Sequence, residues 1–461
     1  MPADISPVAA SDVAHLLHPY TNLVRHAETG PLVIVRGEGV RVFDERGRDY
    51  IEGLAGLWCT TLGWGETRLA DVAAAQMRRL PFYHLFGSKT HEPAVLLAER
   101  LASMVPIDDA RVFLANSGSE ANDTAIKLIR YANNALGRPA KKKLIARDRA
   151  YHGVTLATAA LTGLPTNHRS FDLPDGDVLR AACPHHWRNA RPGESEEAYA
   201  TRLAEEVESL ILAEGADTVA AFFAEPVMGA GGVIVPPATY FDKLQAVLRR
   251  HDVLLVVDEV ITGFGRTGNM FGCDTFGIRP DMITVAKGLS SGYQPISALV
   301  VSGRLYEAVA AEAGRIGVFG HGFTYGGHPV PAAVALETLA IYRERDIVGH
   351  VRRVAPAFQA ALKGFTGHPL VGEARGIGLI GALELVADKR TKAPFDPKLG
   401  IGARVVAKAQ DNGVILRAMG DAVAFAPPLV ISESEIAEMF ARFAAALDQA
   451  QAELVASQCT A

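Results

Sequence analysis

Two residues of this chain are spaced to do chemistry together. Asp258 closes the apolar run 253–257, and Lys287 closes the run 282–286. Both runs have the length and β-branched content of buried strands. Parallel strands of one sheet deliver their last residues to a common carboxyl edge, where open α/β sheets bind ligands. Taken alone, a carboxylate beside a lysine is most simply an ion pair, so the surrounding motifs have to decide.

Three further apolar runs end in the same manner. Residues 112–114 lead into Asn116-Ser117-Gly118-Ser119-Glu120, residues 144–146 lead to Tyr151-His152-Gly153, and residues 219–224 stop at Glu225. Helical patterns at 196–214 and 240–250 alternate with them. Five such endings in succession predict a mainly parallel sheet with its chemistry on one edge. Ser117 and Glu120 have capping-box spacing, and Ala121, Ala125, Leu128, Ile129 and Ala132 follow at helical period. A Gly/Ser loop opening a helix offers free N–H groups to a phosphate, although the same residues also describe an ordinary capped helix. The polar, Pro-rich stretch 173–195 reads as a surface insertion.

Elements at the two ends frame this sheet. Alternating stretches at 32–35, 40–43 and 49–51 predict a small antiparallel meander. Trp58, Tyr83 and Phe86 lie in loop-like sequence, which suits the wall of an apolar pocket as well as a core. From about residue 341 a second domain is expected: a long helix to about 365, a strand at 378–385, a helix near 400–412, and a hairpin of 414–417 with 422–425. Ser432 and Glu435 should cap a last helix whose Ile436, Met439, Phe440, Phe443 and Leu447 share one face. The division is therefore 1–60 (arm and meander), 61–340 (large domain) and 341–461 (small domain).

Bulk properties exclude several classes. Of 461 residues, 49% are hydrophobic and 21% charged, enough for a large core. A net charge of −5 argues against a nucleic-acid partner, and Lys141-Lys142-Lys143 reads as a solvated loop. Four scattered cysteines without CxxC spacing fit reduced thiols in the cytoplasm, and His185-His186 near Cys183 has no matching cluster, so no metal is expected. No run is long enough to span a bilayer, and the first residues lack leader character.

The motifs Asp258-Glu259-Val260, Gly263-Phe264-Gly265-Arg266-Thr267-Gly268 and Ala286-Lys287-Gly288 together resemble the class III (subgroup II) aminotransferases. The resemblance extends from His18-Pro19 to Pro427-Pro428. It leans toward ω-amine:pyruvate transaminases through Gly56-Leu57-Trp58-Cys59, Pro81-Phe82-Tyr83, the 229–237 loop and Arg417-Ala418-Met419-Gly420-Asp421. It implies an α/β chain of PLP fold type I, in which a large domain carries the sheet and N- and C-terminal segments build a smaller α+β domain. Pyridoxal 5′-phosphate (PLP) would form a Schiff base with Lys287, while Asp258 meets the ring nitrogen. Gly118 and Ser119 would hold the phosphate, Tyr151 would cover the ring, and Glu225 and Val260 would adjoin it. Thr324 would reach the phosphate of a neighbouring subunit, making a homodimer, or a tetramer of two such dimers, with shared sites. Tyr20, Trp58, Phe86 and Tyr151 would receive a primary amine, and Arg417 would fork onto a keto acid carboxylate, with pyruvate the expected acceptor. Substrate preference is expected to vary in the loops around Tyr20, Phe86 and Thr262. Other class III activities (polyamine- or ω-amino-acid-specific transfer, or an aminomutase) would use the same cofactor site. A dinucleotide-binding oxidoreductase fits poorly, because the loop at 116–119 lacks G-x-G-x-x-G.

Overall fold

In the computed structural model, which describes residues 5–174 and 176–459, a seven-stranded sheet organises the chain. Its order from one edge is Arg111–Ala115, Ser297–Val301, Met282–Val285, Leu254–Asp258, Val219–Ala224, Lys143–Arg147 and Val178–Ala181. The last five strands are mutually parallel. Ser297–Val301 runs antiparallel to both its neighbours. The central strands are buried along their whole length, as a sheet covered on both faces requires. Their alternate residues feed two separate cores: Phe222, Leu255, Val257 and Ile283 on one side, Phe223, Leu254, Val256 and Met282 on the other. This period-2 division places the strand ends, rather than their faces, at the disposal of a ligand.

Two smaller sheets are built from the ends of the chain. The predicted meander forms as Ile34–Glu38, Arg41–Asp44 and Asp49–Glu52, and a fourth strand, Val414–Ile415, joins it in parallel. The third sheet pairs Val371–Ile377, Ile380–Leu385, Ala422–Phe425 and Arg417–Met419, all antiparallel. The final helix, Glu433–Cys459, is capped reciprocally, with Glu435 N donating to Ser432 Oγ (3.3 Å) and Ser432 N to Glu435 Oε2 (2.8 Å). Its Ile436, Met439, Phe440, Phe443 and Leu447 are buried as the periodicity predicts. Burial of such side chains is worth roughly 1.5–3 kcal/mol each.

Several expectations are corrected. Residues 173–195 are not merely a surface insertion: Val178–Ala181 is the edge strand of the main sheet, and a four-residue edge strand leaves little periodic signal. Ser297–Val301 was hidden behind the Gly/Ser/Pro-rich stretch that precedes it. The single long helix is two, Pro329–Glu344 and Ile347–Gly364, broken at Asp346 (φ 47°), whose side chain caps the second. The hairpin is shorter than expected, because the chain changes sheets at buried Leu416. The lysine triplet is not a solvated loop: Lys141 is buried and Lys143 opens a strand, paired with Glu214 at 2.8 Å.

Candidate active site

Asp258 and Lys287 end adjacent parallel strands, in register through Asp258 and Thr284. Both line one cavity of about 390 Å³ at the carboxyl edge of the sheet. Lys287 leaves its strand with a left-handed backbone (φ 48°), a conformation that costs a non-glycine residue about 1 kcal/mol or more. A single 3₁₀ turn over Lys287–Leu289 holds it, with Leu289 N donating to Ala286 O at 3.0 Å. The strain turns the residue out of the strand at the cavity.

Asp258 is buried, and burial pushes its pKa up. Hydrogen bonds and positive charge prevail over burial, and the carboxyl is held below its usual range. His152 Nδ1 donates to Oδ2 at 2.9 Å, Asn122 Nδ2 donates to the same oxygen at 2.7 Å, and Val260 N donates to Oδ1 at 3.1 Å. Burial likewise lowers the Lys287 ammonium, opposed by Asp258, Cys59 and Glu225. Glu225 is raised by burial and by the Asp258 charge. Its carboxyl accepts from Tyr151 N (3.0 Å) and Gly229 N (2.9 Å), so it fastens the backbone of Tyr151 beside the cavity.

Helix Gly118–Ala135 begins at the wall of the same cavity. Ser117 Oγ accepts from Glu120 N at 3.1 Å. The expected reciprocal bond is displaced by one residue, since Glu120 Oε2 accepts from Asn116 N at 2.7 Å. Gly118 and Ser119 border the cavity at this helix N-terminus, where exposed N–H groups and the helix dipole favour an anion. A Cβ on Gly118 would lie 3.0 Å from Val260, and one on Gly153 (φ +130°) would lie 2.6 Å from Ser119 Oγ. Glycine at both positions keeps the cradle open.

The predicted substrate residues divide. Tyr151 lines the cavity. Trp58 is buried in a cluster with Val227 and Ile261, two cavity-wall residues, and so backs the wall. Tyr20 is exposed; its hydroxyl accepts from Asn167 Nδ2 at 2.6 Å, and the Arg417 guanidinium lies 5.7 Å from its ring centre. Phe86 and Thr324 do not join the others within one subunit. Phe86 packs near Gly322 in a separate cavity of about 450 Å³, and Thr324 is exposed. Thr262 is buried against Glu259, which also accepts from Gly272 N (2.9 Å) and Cys273 N (2.6 Å). The pocket-facing residue of that loop is its neighbour Ile261. His185 and His186 share no site: His185 pairs with Glu373 at 2.8 Å, and His186 donates to Glu194 O at 2.9 Å.

Sequence reasoning missed Asn122 and His152. Each had a signal: Asn122 lies one turn after Ser119 on the helix face that carries Ala121 and Ala125, and His152 lies inside the Tyr-His-Gly motif. Both line the cavity, and Asn122 Oδ1 and His152 Nε2 are buried without a partner among the described residues. Two orphaned polar atoms, an ionised carboxylate, an amine and an anion cradle around one cavity fit a phosphorylated, nitrogen-containing aromatic aldehyde such as PLP.

A family profile described as "Aminotransferase class-III" matches residues 23–447. Gamma aminobutyrate transaminase 1, mitochondrial, of Solanum lycopersicum is 51% identical over 437 residues, covering 95% of this chain and 85% of that protein. Among solved structures, the ω-transaminase from Pseudomonas jessenii in complex with PMP is 53% identical with a TM-score of 0.95, covering 96% of this chain and 98% of that one. A second, described as a transaminase with L-ala, is 54% identical with a TM-score of 0.90, covering 92% and 100%.

Proposed function

The chain belongs to the class III aminotransferases, PLP-dependent enzymes of fold type I that move an amino group from a donor amine to a keto acid, and on that premise we propose that this one takes primary amines as donors and pyruvate as acceptor. Aliphatic and arylalkyl amines, diamines and ω-amino acids fall within the donor class; the products are an aldehyde or ketone and alanine. The observation that carries this reading is Arg417. Its cation stands beside aromatic Tyr20, close enough to influence Lys287 and Tyr151, and makes no ion pair among the described residues. A pocket with apolar walls and one uncommitted guanidinium suits an uncharged amine and a carboxylate in turn. The names of the curated relatives favour 4-aminobutyrate as one donor, and Arg417 would serve the carboxylate of such a substrate as well.

When bound, PLP supplies a carbonyl that accepts the amino group and a ring that holds the electron pair released at the substrate carbon. Gly118 and Ser119 would hold its phosphate, and Val260 and Tyr151 would adjoin its ring. Asp258, kept ionised by His152, Asn122 and Val260 N, would pair with a protonated ring nitrogen and so keep the ring electron-poor. Lys287 would be the attachment point and the proton carrier. Burial disfavours the ammonium form of Lys287, and Nζ would take the proton from the amine-bearing carbon. In the second half-reaction Nζ would deliver a proton to the former carbonyl carbon of the keto acid. Tyr151 shields the reacting carbon from water, and Arg417 orients the acceptor carboxylate.

A second copy of the chain completes the site in this reading. Leu57, Phe86, Val154, Leu156, Val318 and Tyr325 are all large, apolar and about half exposed or more, which supports an apolar dimer face. Thr324 and Phe86 then serve the neighbour's cavity. Among the described residues no helix is long and apolar enough to cross a membrane, and Cys59, Cys183 and Cys273 are unpaired, which supports a reducing, cytoplasmic setting. The test is a donor panel run against pyruvate, with alanine formation as readout. Alanine formed from several primary amines is expected; activity only with another acceptor refutes the pyruvate assignment.

A further inference from the structure

Resting on that amine and keto acid reading, we propose that the Tyr20 ring, clamped by Asn167, is the seat on which the Arg417 guanidinium rests while the pocket holds a substrate without a carboxylate. A guanidinium cannot shed its charge in a protein. A pocket that alternates between an uncharged amine and a keto acid must therefore hold that cation somewhere during the amine half-reaction. An Asp or Glu seat would set a like charge beside the incoming keto acid carboxylate, whereas an aromatic face attracts the guanidinium without carrying a charge of its own.

The structure has the parts of such a seat. Arg417 ends the stretch that switches between the two small sheets, at the start of strand Arg417–Met419. Its guanidinium carbon is 5.7 Å from the Tyr20 ring centre, within cation–π range. Among the described residues no carboxylate pairs with it. Tyr20 lies in the turn between helices Pro7–His15 and Leu23–Thr29, with φ 50°. That turn is stapled, because Asp12 accepts from His18 (2.7 Å) and His26 (3.0 Å) across it. The ring's far end is fixed by Asn167, a buried residue of the short turn Pro165–Asn167, whose Nδ2 donates to the Tyr20 hydroxyl at 2.6 Å. Asn167 Oδ1 has no partner among the described residues, so the amide makes this one directed bond. The Tyr20 hydroxyl also faces that of Tyr151 on the cavity wall. Asn167 is thus a positioning residue: it is not among the residues that line the cavity and acts through Tyr20.

The seat predicts opposite effects on the two half-reactions. Once released from the ring, Arg417 intrudes on the amine pocket and is more available to a carboxylate. In Asn167→Leu and Tyr20→Leu holoenzyme, KM for 1-phenylethylamine should rise by about 2- to 5-fold. KM for pyruvate should stay level or fall, and kcat should move less than the KM ratio. Tyr20→Phe loses the clamp but keeps the ring, and it reports on the clamp if Asn167→Leu does not fold. Adding Arg417→Ala to Tyr20→Leu should abolish the amine effect, since no cation is left to intrude. Parallel rises in both KM values, a fall in kcat with the ratio unmoved, or an amine effect that persists without Arg417 would overturn the seat. Wild-type enzyme inactive with both probes would instead refute the underlying functional reading.

Discussion

Asn122 offers the sharpest test of how the site is held in its working charge state. Its Nδ2 donates to Asp258 Oδ2 at 2.7 Å, the shortest of the three bonds to that carboxylate, and it is nearly fully buried. Asn122→Leu keeps the branched shape and the number of side-chain heavy atoms and deletes this donor. A hydrogen bond to a charged group contributes about 1.5–3 kcal/mol, which corresponds to roughly 10- to 150-fold in rate if all of it is felt in the transition state. His152 and Val260 N remain on the carboxylate, so the lower end, about 10-fold in turnover, is expected. Asp258→Asn, which removes the charge itself, should cost about 10²-fold or more with cofactor still bound. The pH profile gives a second, independent readout. Asp258 works as the anion and its pKa is depressed in the folded protein, so activity fails as pH falls through that value. Losing a donor to the anion raises the pKa, and the acid limb must move to higher pH. Stopped-flow measurement of the amine half-reaction across pH would show both effects. Turnover within twofold of wild type, with an acid limb that has not moved, would refute the claim that Asn122 keeps Asp258 ionised.

Other consequences are equally direct. Borohydride treatment of the holoenzyme should attach the cofactor irreversibly at Lys287, as peptide mapping would reveal, and Lys287→Ala should show no such label and no turnover. Thr324→Ala should weaken cofactor retention on dilution, and light scattering should report at least a dimer; a fully active monomer would remove Thr324 from the site. Glu52 is buried beneath the turn that carries Trp58, accepts from Leu54 N and Gly56 N, and has its pKa pushed up to about 8 from an ordinary 4.5 by burial. The folded state therefore binds this proton more tightly than the unfolded one. Its contribution is present at low pH and is lost as pH rises from about 4.5 to about 8. Glu52→Gln should accordingly raise Tm by a few degrees at pH 8.5 and change it little at pH 5; a shift independent of pH would contradict this origin.

The sequence disclosed most where local patterns and chemistry coincide. Apolar runs ending at Asp258, Lys287 and Glu225 marked the edge of the sheet that borders the cavity, because a buried parallel strand must be apolar along its length and can expose a polar side chain only at its end. The Ser-Gly-Ser opening of helix Gly118–Ala135 announced its cap through spacing alone. Short edge strands such as Val178–Ala181 and the change of sheet at Leu416 were not legible, since each depends on partners far away in the chain.

The same distinction divides the site. Residue type and motif single out Lys287 and Asp258, for their chemistry is intrinsic to an amine and a carboxylic acid. Only the folded chain decides their charge states. The depressed pKa of Asp258 depends on Asn122, 136 residues away in sequence, and on His152, 106 residues away. Tertiary structure also sorted Trp58, Tyr20 and Phe86, three aromatics of similar promise, into a buried wall, an arginine's neighbour and the lining of a separate cavity. Side-chain identity fixes what a group can do, while burial and long-range partners fix which of those things it does, because solvation and hydrogen bonding are properties of the packed molecule and not of any stretch of chain.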